Sequence, residues 1–132
     1  ARPLKEVRLE GYMSENMEVT KHGVGYMKVS DEIINKFEAD SASAGNVVNN
    51  FNFIEGVYIW LTITEDVKNE YYRISIRSRG PEINQVAEKY HGGGHKFASG
   101  VKLQTIQEAM LLVEDLDKAL EKYLKEQDKG DE

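Results

Sequence analysis

One ten-residue segment, HGGGHKFASG at residues 91–100, combines backbone and side-chain hydrogen-bond donors. Its three consecutive glycines have no Cβ, so successive backbone N–H groups can line a concavity that another molecule approaches closely. His95, Lys96 and Ser99 follow, and they supply a titratable cation, a permanent cation and a hydroxyl group. Together these groups are suited to bind a phosphate. A flexible glycine-rich turn without a ligand is the alternative interpretation. The candidate ligand-binding residues of the segment are Gly92, Gly93, Gly94, His95, Lys96 and Ser99.

The stretch 71–79 predicts a strand that supplies arginines to the same site. Side chains alternate along a strand, so Arg73, Arg77 and Arg79 share one face. Three guanidinium groups on one face repel each other unless an anion lies among them, and their forked donors match phosphate oxygens. A solvated strand whose arginines pair with surface acids is the alternative. Because Arg77 and Arg79 run toward the glycine segment, we predict that these two join the phosphate site.

The distribution of charge supports a local anion site. The chain has a net charge of −6, which argues against a broad polyanion-binding surface. Between residues 71 and 102, however, six basic residues stand against two acidic ones, while the rest of the chain has 11 basic and 21 acidic residues. Positive charge is therefore concentrated around the glycine segment.

The chain offers no catalytic centre of its own. His91 and His95 have the spacing of a zinc-binding helix, but the three glycines between them disfavour a helix. There is no cysteine for a thiolate site or a disulfide, and no serine lies in a nucleophile motif. We therefore predict no catalytic residue, no metal ligand and no cofactor in this chain.

Length and apolar content suit one domain with a buried core. The chain has 132 residues, and its apolar runs are far shorter than the roughly 20 residues that cross a bilayer. No apolar leader follows Arg2 and Lys5. We expect a cytoplasmic protein that binds no membrane. Because the chain opens on Ala1 rather than methionine, we also expect it to be part of a longer polypeptide.

Periodicity and turn residues predict an α+β fold, a mixed sheet of about five strands flanked by helices, with the glycine-rich GGGH segment as a loop. The predicted strands are residues 7–13, 17–29, 57–64, 71–79 and 99–103. The predicted helices are residues 31–37, 43–51, one that opens at 80–81 and ends at 91–92, and a long C-terminal helix over 106–125. Residues 127–132 are expected to form a disordered tail.

The segment GGGHKFASG at 92–100, preceded by ISIRSRG at 74–80, resembles the C-terminal DHH-associated domain of the DHH phosphoesterases. The likeness is greatest to the NrnA-type enzymes, which combine oligoribonuclease and phosphoadenosine-phosphate phosphatase activities. It spans most of the chain, and we assign residues 1–126 to this substrate-binding domain. One departure is His91, where many relatives have a fourth glycine.

The resemblance implies that catalysis and substrate binding lie in two separate domains. A separate N-terminal DHH domain of the same polypeptide would hold two manganese ions, and no Asp-His-His tripeptide occurs here. The isolated chain would be inactive, and would hold short single-stranded RNA or a nucleotide phosphate. Gly93 and Gly94 would give backbone donors to a phosphate, His95 would donate to it, and Arg77 and Arg79 would clamp it or the far nucleotide.

Two other functions remain open at this point. Related domains are appended to synthetases that charge alanine tRNA, which suggests a non-catalytic single-stranded RNA-binding module. A cyclic-dinucleotide phosphodiesterase would have the same fold. The residues of this chain do not separate the three functions, and they do not predict its oligomeric state.

Overall fold

The computed structural model describes residues 1–130, which form a mixed sheet of six strands with helices on both faces. The strands are β1 (Glu18–Val19), β2 (Val24–Val29), β3 (Ile59–Asp66), β4 (Tyr71–Ser78), β5 (Gly93–His95) and β6 (Ala98–Leu103). The helices are α1 (Leu4–Glu15), α2 (Asp31–Lys36), α3 (Ser41–Asn46), α4 (Asn84–Lys89) and α5 (Ile106–Gly130). The predicted fold class and long C-terminal helix are confirmed.

The strand order β1-β2-β3-β4-β6-β5 places β3 and β4 in the middle of the sheet. β3 is buried almost throughout, because its β-branched and aromatic side chains meet helices on both faces. β4 returns antiparallel to β3, with Ile74 opposite Ile63 and Ser75 opposite Thr62. β2 pairs parallel with β3, since α2 and α3 carry the chain back between them.

Alternation along the strands separates two hydrophobic cores on opposite faces of the sheet. One core packs Ile74 and Ile76 of β4 against residues of α4 and α5. The other packs Met27 and Trp60 against α1, α2 and α3. On this second face the helices cover β2 and β3, but the residues of β4, β6 and β5 there are only partly buried or exposed. We call this uncovered part of the β4–β6–β5 surface the open face.

The C-terminal helix α5 begins with a side-chain cap. The backbone N–H of Glu108 donates to Thr105 Oγ1 over 3.1 Å, and the Thr105 hydroxyl donates to the Glu108 carboxylate over 3.0 Å. The helix continues to Gly130, so residues 127–130 of the expected disordered tail are helical. The rest of that prediction, residues 131–132, lies outside the described residues.

Two hydrogen-bonded acids fasten the β1–β2 turn to α5. Thr20 Oγ1 donates to one oxygen of Asp117 over 2.5 Å, and His22 Nδ1 lies 2.7 Å from the other. His22 Nε2 lies 2.9 Å from Glu121. Burial raises the pKa of Asp117, but the hydrogen bonds from Thr20 and His22 outweigh it, so the pKa is lowered from its usual value.

Four expectations about local structure were wrong. The helix expected to open at residues 80–81 and to end at 91–92 is the shorter α4, which begins at Asn84 and ends at Lys89. Residues 7–13 form part of helix α1, with Leu9 and Met13 buried one helical turn apart. The predicted helix 43–51 ends at Asn46 and continues as a 3₁₀ turn, although its predicted apolar stripe is buried. The predicted GGGH loop is instead strand β5, joined to β6 by a two-residue turn at Lys96 and Phe97.

Candidate phosphate-binding face

The strand register brings two of the predicted site residues into one row. Arg77 of β4 lies opposite Ala98 of β6, and Ala98 lies opposite His95 of β5. Residues opposite each other on antiparallel strands point to the same face. Two interstrand spacings place the Arg77 and His95 Cα atoms about 10 Å apart, with only a methyl side chain between them. The row can therefore hold an anion between a guanidinium and an imidazole.

The neighbouring row on the same face consists of small residues and leaves space beside these two side chains. It consists of Ser75, Gly100 and Gly93, again directly opposite one another. A Cβ at Gly93 would meet no heavy atom within 4 Å, so the space above this glycine is open. Within residues 1–130, β5 is also the last strand of the sheet, which leaves backbone groups on one of its edges without a strand partner. A ligand can approach the backbone closely here.

The other two glycines of the motif serve the fold. A Cβ at Gly92 would lie 2.2 Å from the carbonyl oxygen of Gly100, because β5 enters the sheet tightly against β6. Gly94 has a φ of +145°, and a Cβ there would lie 2.7 Å from the carbonyl oxygen of Ala98. Both positions therefore require glycine for packing and backbone geometry. Of the three predicted glycines, Gly93 is the one with open space above its backbone.

Arg77 is held in place by its neighbours and retains free donors. Its Nε donates to Asn49 Oδ1 over 3.0 Å, and its Nη1 donates to the carbonyl of Ile76 over 2.9 Å. Within the described chain, Nη2 has no hydrogen-bond partner. Partial burial lowers the pKa of the guanidinium, and a partly desolvated cation gains more from an anion than a fully hydrated one. Asn49 orients Arg77, a role that its sequence position did not reveal.

Arg79 lies just beyond the end of β4 and stabilises a loop. Its Nε donates to the carbonyl of Val57 over 2.9 Å and its Nη2 to that of Ile54 over 3.0 Å. The guanidinium carbon also lies 4.8 Å from the centre of the Tyr58 ring. These two bonds and the ring contact commit Arg79 to the loop before β3, whereas Arg77 is held on the open face.

The structure does not bring Lys96 and Ser99 to the open face. Lys96 lies in the hairpin turn, and its ammonium group is 3.3 Å from the Glu82 carboxylate. Ser99 is 4% exposed, faces the α4–α5 core opposite Ile76, and donates its hydroxyl to the carbonyl of His95 over 2.8 Å. Ser99 thus fixes the hairpin that presents His95.

The open face ends in a cavity of about 530 Å³ that sequence reasoning did not locate. Asn46 of α3, Arg73 and Ser75 of β4, and Lys102 of β6 line it, together with His91. The available signal was the excess of basic residues between positions 71 and 102. The strand register was needed to show that Arg73 and Lys102 are opposite each other.

The donor set of the described residues does not fit a metal centre. No group of three or more His, Asp or Glu side chains in residues 1–130 is arranged to hold a metal ion. His91 lies at the cavity, at a φ of +65°, while His95 lies in the Arg77 row.

A single domain model describes most of the sequence. Residues 22–126 match the DHHA1 domain, a stretch that includes every strand of the open face. The chain belongs to the DHHA1 domain family. The resemblance found in the arginine strand and the glycine motif is thereby confirmed.

Two bacterial relatives of this DHHA1 domain have informative names. The bifunctional oligoribonuclease and PAP phosphatase NrnA of Bacillus subtilis is 31% identical over 114 residues, covering 86% of this chain and 36% of that protein. The probable bifunctional oligoribonuclease and PAP phosphatase NrnA of Streptococcus mutans is 32% identical over 123 residues, covering 93% of this chain and 38% of that protein. The chain thus spans little more than a third of the length of these relatives.

Solved structures share the architecture of this DHHA1 domain. An exopolyphosphatase-related protein from Bacteroides fragilis superposes with a TM-score of 0.78 at 31% identity, covering 93% of this chain and 36% of that one. A pGpG-specific phosphodiesterase from Vibrio cholerae has a TM-score of 0.60 at 12% identity, covering 91% of this chain and 40% of that one, which shows a common fold. Among the described residues, no helix combines the length and apolarity needed to cross a membrane.

Proposed function

We propose that this chain is the substrate-binding domain of a larger DHH-family phosphoesterase that acts on short oligoribonucleotides, phosphoadenosine phosphate, or both. The observation that carries the proposal is the row formed by Arg77, Ala98 and His95 on the open face. The names of the NrnA relatives support nucleotide substrates. The short span relative to them supports a further, N-terminal DHH domain in the same polypeptide, where manganese would activate water.

In this proposal the chain binds and orients the substrate. A phosphate lies above Ala98, where Arg77 donates through its free Nη2 group and His95 donates from the opposite side. A phosphate oxygen also approaches the backbone at Gly93, where no side chain blocks it. Charge-assisted hydrogen bonds of this kind fix the register of the nucleotide. Arg79 and Ser99 hold the loop and the hairpin on either side of the phosphate.

A binding titration tests the proposal directly. The chain is titrated with a fluorescent 5′-phosphorylated dinucleotide and with the same dinucleotide lacking the phosphate, both without metal. We expect binding that depends on the phosphate and is lost in Arg77→Ala. Lys118→Ala is the matched control, because Lys118 lies on α5 and its side chain is 70% exposed.

Other outcomes would contradict the proposal in different ways. Equal binding of both dinucleotides would instead indicate an RNA-binding module that does not require a terminal phosphate. Absence of binding to either would show that the open face is not a phosphate site in this chain. A substrate panel on the full-length protein, including a cyclic dinucleotide, then identifies the substrate class.

A further inference from the structure

The cavity at the far end of the open face contains donors that the proposed phosphate position does not use. Asn46 contributes an amide, Ser75 a hydroxyl, and Arg73 and Lys102 contribute cationic groups to its lining. Small residues complete the walls, namely Ala42, Gly45, Gly92 and Gly100. The cavity is therefore open to a ligand that accepts several hydrogen bonds.

Two cations lie side by side in the lining of this cavity. Arg73 lies directly opposite Lys102 on the neighbouring strand, and like charges in this position destabilise a sheet. Both cations lie over one ring, with the Arg73 guanidinium carbon 5.5 Å and Lys102 Nζ 5.2 Å from the centre of Tyr71. This arrangement gathers positive charge at one point on the surface.

The nearby carboxylate compensates only one of these cations. Asp66 lies 3.4 Å from Arg73 Nη2, but Asp66 also accepts hydrogen bonds from Ser41 and Asn69. The pKa of Asp66 is lowered, chiefly by the hydrogen bond from Asn69. Lys102 has no ion pair within the described residues, and its side chain is exposed.

Arg73 also keeps one donor without a protein acceptor. Its Nε atom is buried, and no hydrogen-bond partner for it exists among residues 1–130. A buried unpaired donor costs free energy, and because solvent does not reach Arg73 Nε, the side chain would have to shift for a ligand to accept from it. The uncompensated ammonium group of Lys102, next to the Arg73 guanidinium in the lining, indicates that the ligand of the cavity is an anion.

We propose that the cavity is a second phosphate subsite, which binds a phosphate further along an oligonucleotide whose first phosphate lies between Arg77 and His95. The inference rests on the proposed function. Arg77 lies four residue steps along β4 from Arg73, which corresponds to about 13 Å. A single nucleotide, whose two phosphates are joined by one sugar, does not span this distance. The subsite therefore favours oligonucleotides over phosphoadenosine phosphate.

The salt dependence of binding tests the subsite. Wild type, Lys102→Gln, Arg77→Ala and the control Lys118→Gln are titrated with a 5′-phosphorylated tetranucleotide and with phosphoadenosine phosphate at several salt concentrations. We expect Lys102→Gln to weaken tetranucleotide binding about two- to fivefold. It should also lower the slope of log K against log salt by about 0.7, the value for one phosphate contact on a single strand.

The same variants separate this subsite from the proposed function. Lys102→Gln should bind phosphoadenosine phosphate as wild type does, while Arg77→Ala should lose affinity for both ligands. If Lys102→Gln has the wild-type slope of log K against log salt for the tetranucleotide, while Arg77→Ala still binds weakly, the subsite alone would be overturned. An equal loss of both ligands in Lys102→Gln would overturn the length selectivity. Binding that is unaffected by Arg77→Ala would overturn the proposed function itself.

Discussion

Substitution of Gly93 separates the proposed ligand role of the glycine motif from its role in the fold. A Cβ at Gly93 meets nothing within 4 Å in the free protein, so Gly93→Ala should change the free energy of unfolding by no more than about 0.5 kcal/mol. A Cβ at Gly92 would lie 2.2 Å from a carbonyl oxygen, so Gly92→Ala should destabilise the domain by about 1–3 kcal/mol. Urea denaturation measures both changes.

The effect on binding follows from contact distances. A phosphate oxygen that accepts from a backbone N–H lies about 2.9 Å from the nitrogen, whereas carbon atoms meet at about 3.5–4.0 Å. A bulky side chain at Gly93 would therefore hold the phosphate away from the backbone. Gly93→Val should lose one charge-assisted hydrogen bond, about 1.5–3 kcal/mol, and Gly93→Ala should lose less.

Titration of both variants with the 5′-phosphorylated dinucleotide gives the comparison. Gly11→Val serves as the glycine control, because a Cβ at Gly11 also meets nothing within 4 Å and α1 packs at β2, outside the β4–β6–β5 open face. Wild-type affinity in Gly93→Val, in a protein of unchanged stability, would refute close approach of the ligand to this backbone. Equal losses in Gly93→Ala and Gly93→Val would refute the steric reasoning.

Three further predictions concern the site and the fold. Arg77→Ala should weaken phosphate-dependent binding by about 1.5–3 kcal/mol, and Arg77→Lys should restore only part of it because the forked donors are lost; full restoration in a titration would argue against a forked contact. Asp117→Asn should lower the free energy of unfolding at pH 7 by about 1–3 kcal/mol. The pKa of Asp117 is lowered in the folded state, so the ionised carboxylate stabilises the fold fully above the unfolded pKa of 3.8, and this stabilisation is lost as pH falls through the folded pKa. The free energies of unfolding of wild type and Asp117→Asn should therefore converge in acid. A difference that stays constant with pH would contradict this. Thr105→Ala should cost about 0.5–2 kcal/mol in thermal denaturation, and Thr105→Ser should recover most of it; an unchanged melting temperature would show that the cap contributes nothing.

The sequence predicted secondary structure best where apolar residues recur with one clear period. Residues 71–78 alternate so clearly that the face with Arg73 and Arg77 and the Ile74–Ile76 core face were both predicted correctly, whereas Arg79 lies beyond the end of the strand. The long apolar stripe after Thr105 likewise predicted α5. The strand prediction for residues 7–13 was wrong because Leu9 and Met13 are four residues apart, a spacing that fits both a strand of period two and a helix of period 3.6.

Glycines were ambiguous for a related reason. A run of three glycines predicts flexibility, but here two of them let β5 pack against β6 where no side chain would fit. The sequence cannot distinguish a glycine that avoids a clash from a glycine that exposes backbone, since both positions lack the same atom. Gly92 and Gly94 belong to the first kind, and Gly93 to the second.

The sequence by itself determined the family, the fold class and the types of group that make up the candidate site. Tertiary structure decided which of these groups share a surface. Strand register placed Arg77 in line with His95 and turned Ser99 toward the core, and it set Arg73 opposite Lys102. The register between strands that are distant in sequence depends on how the helices pack on the sheet, so it cannot be predicted from the spacing of residues along the chain.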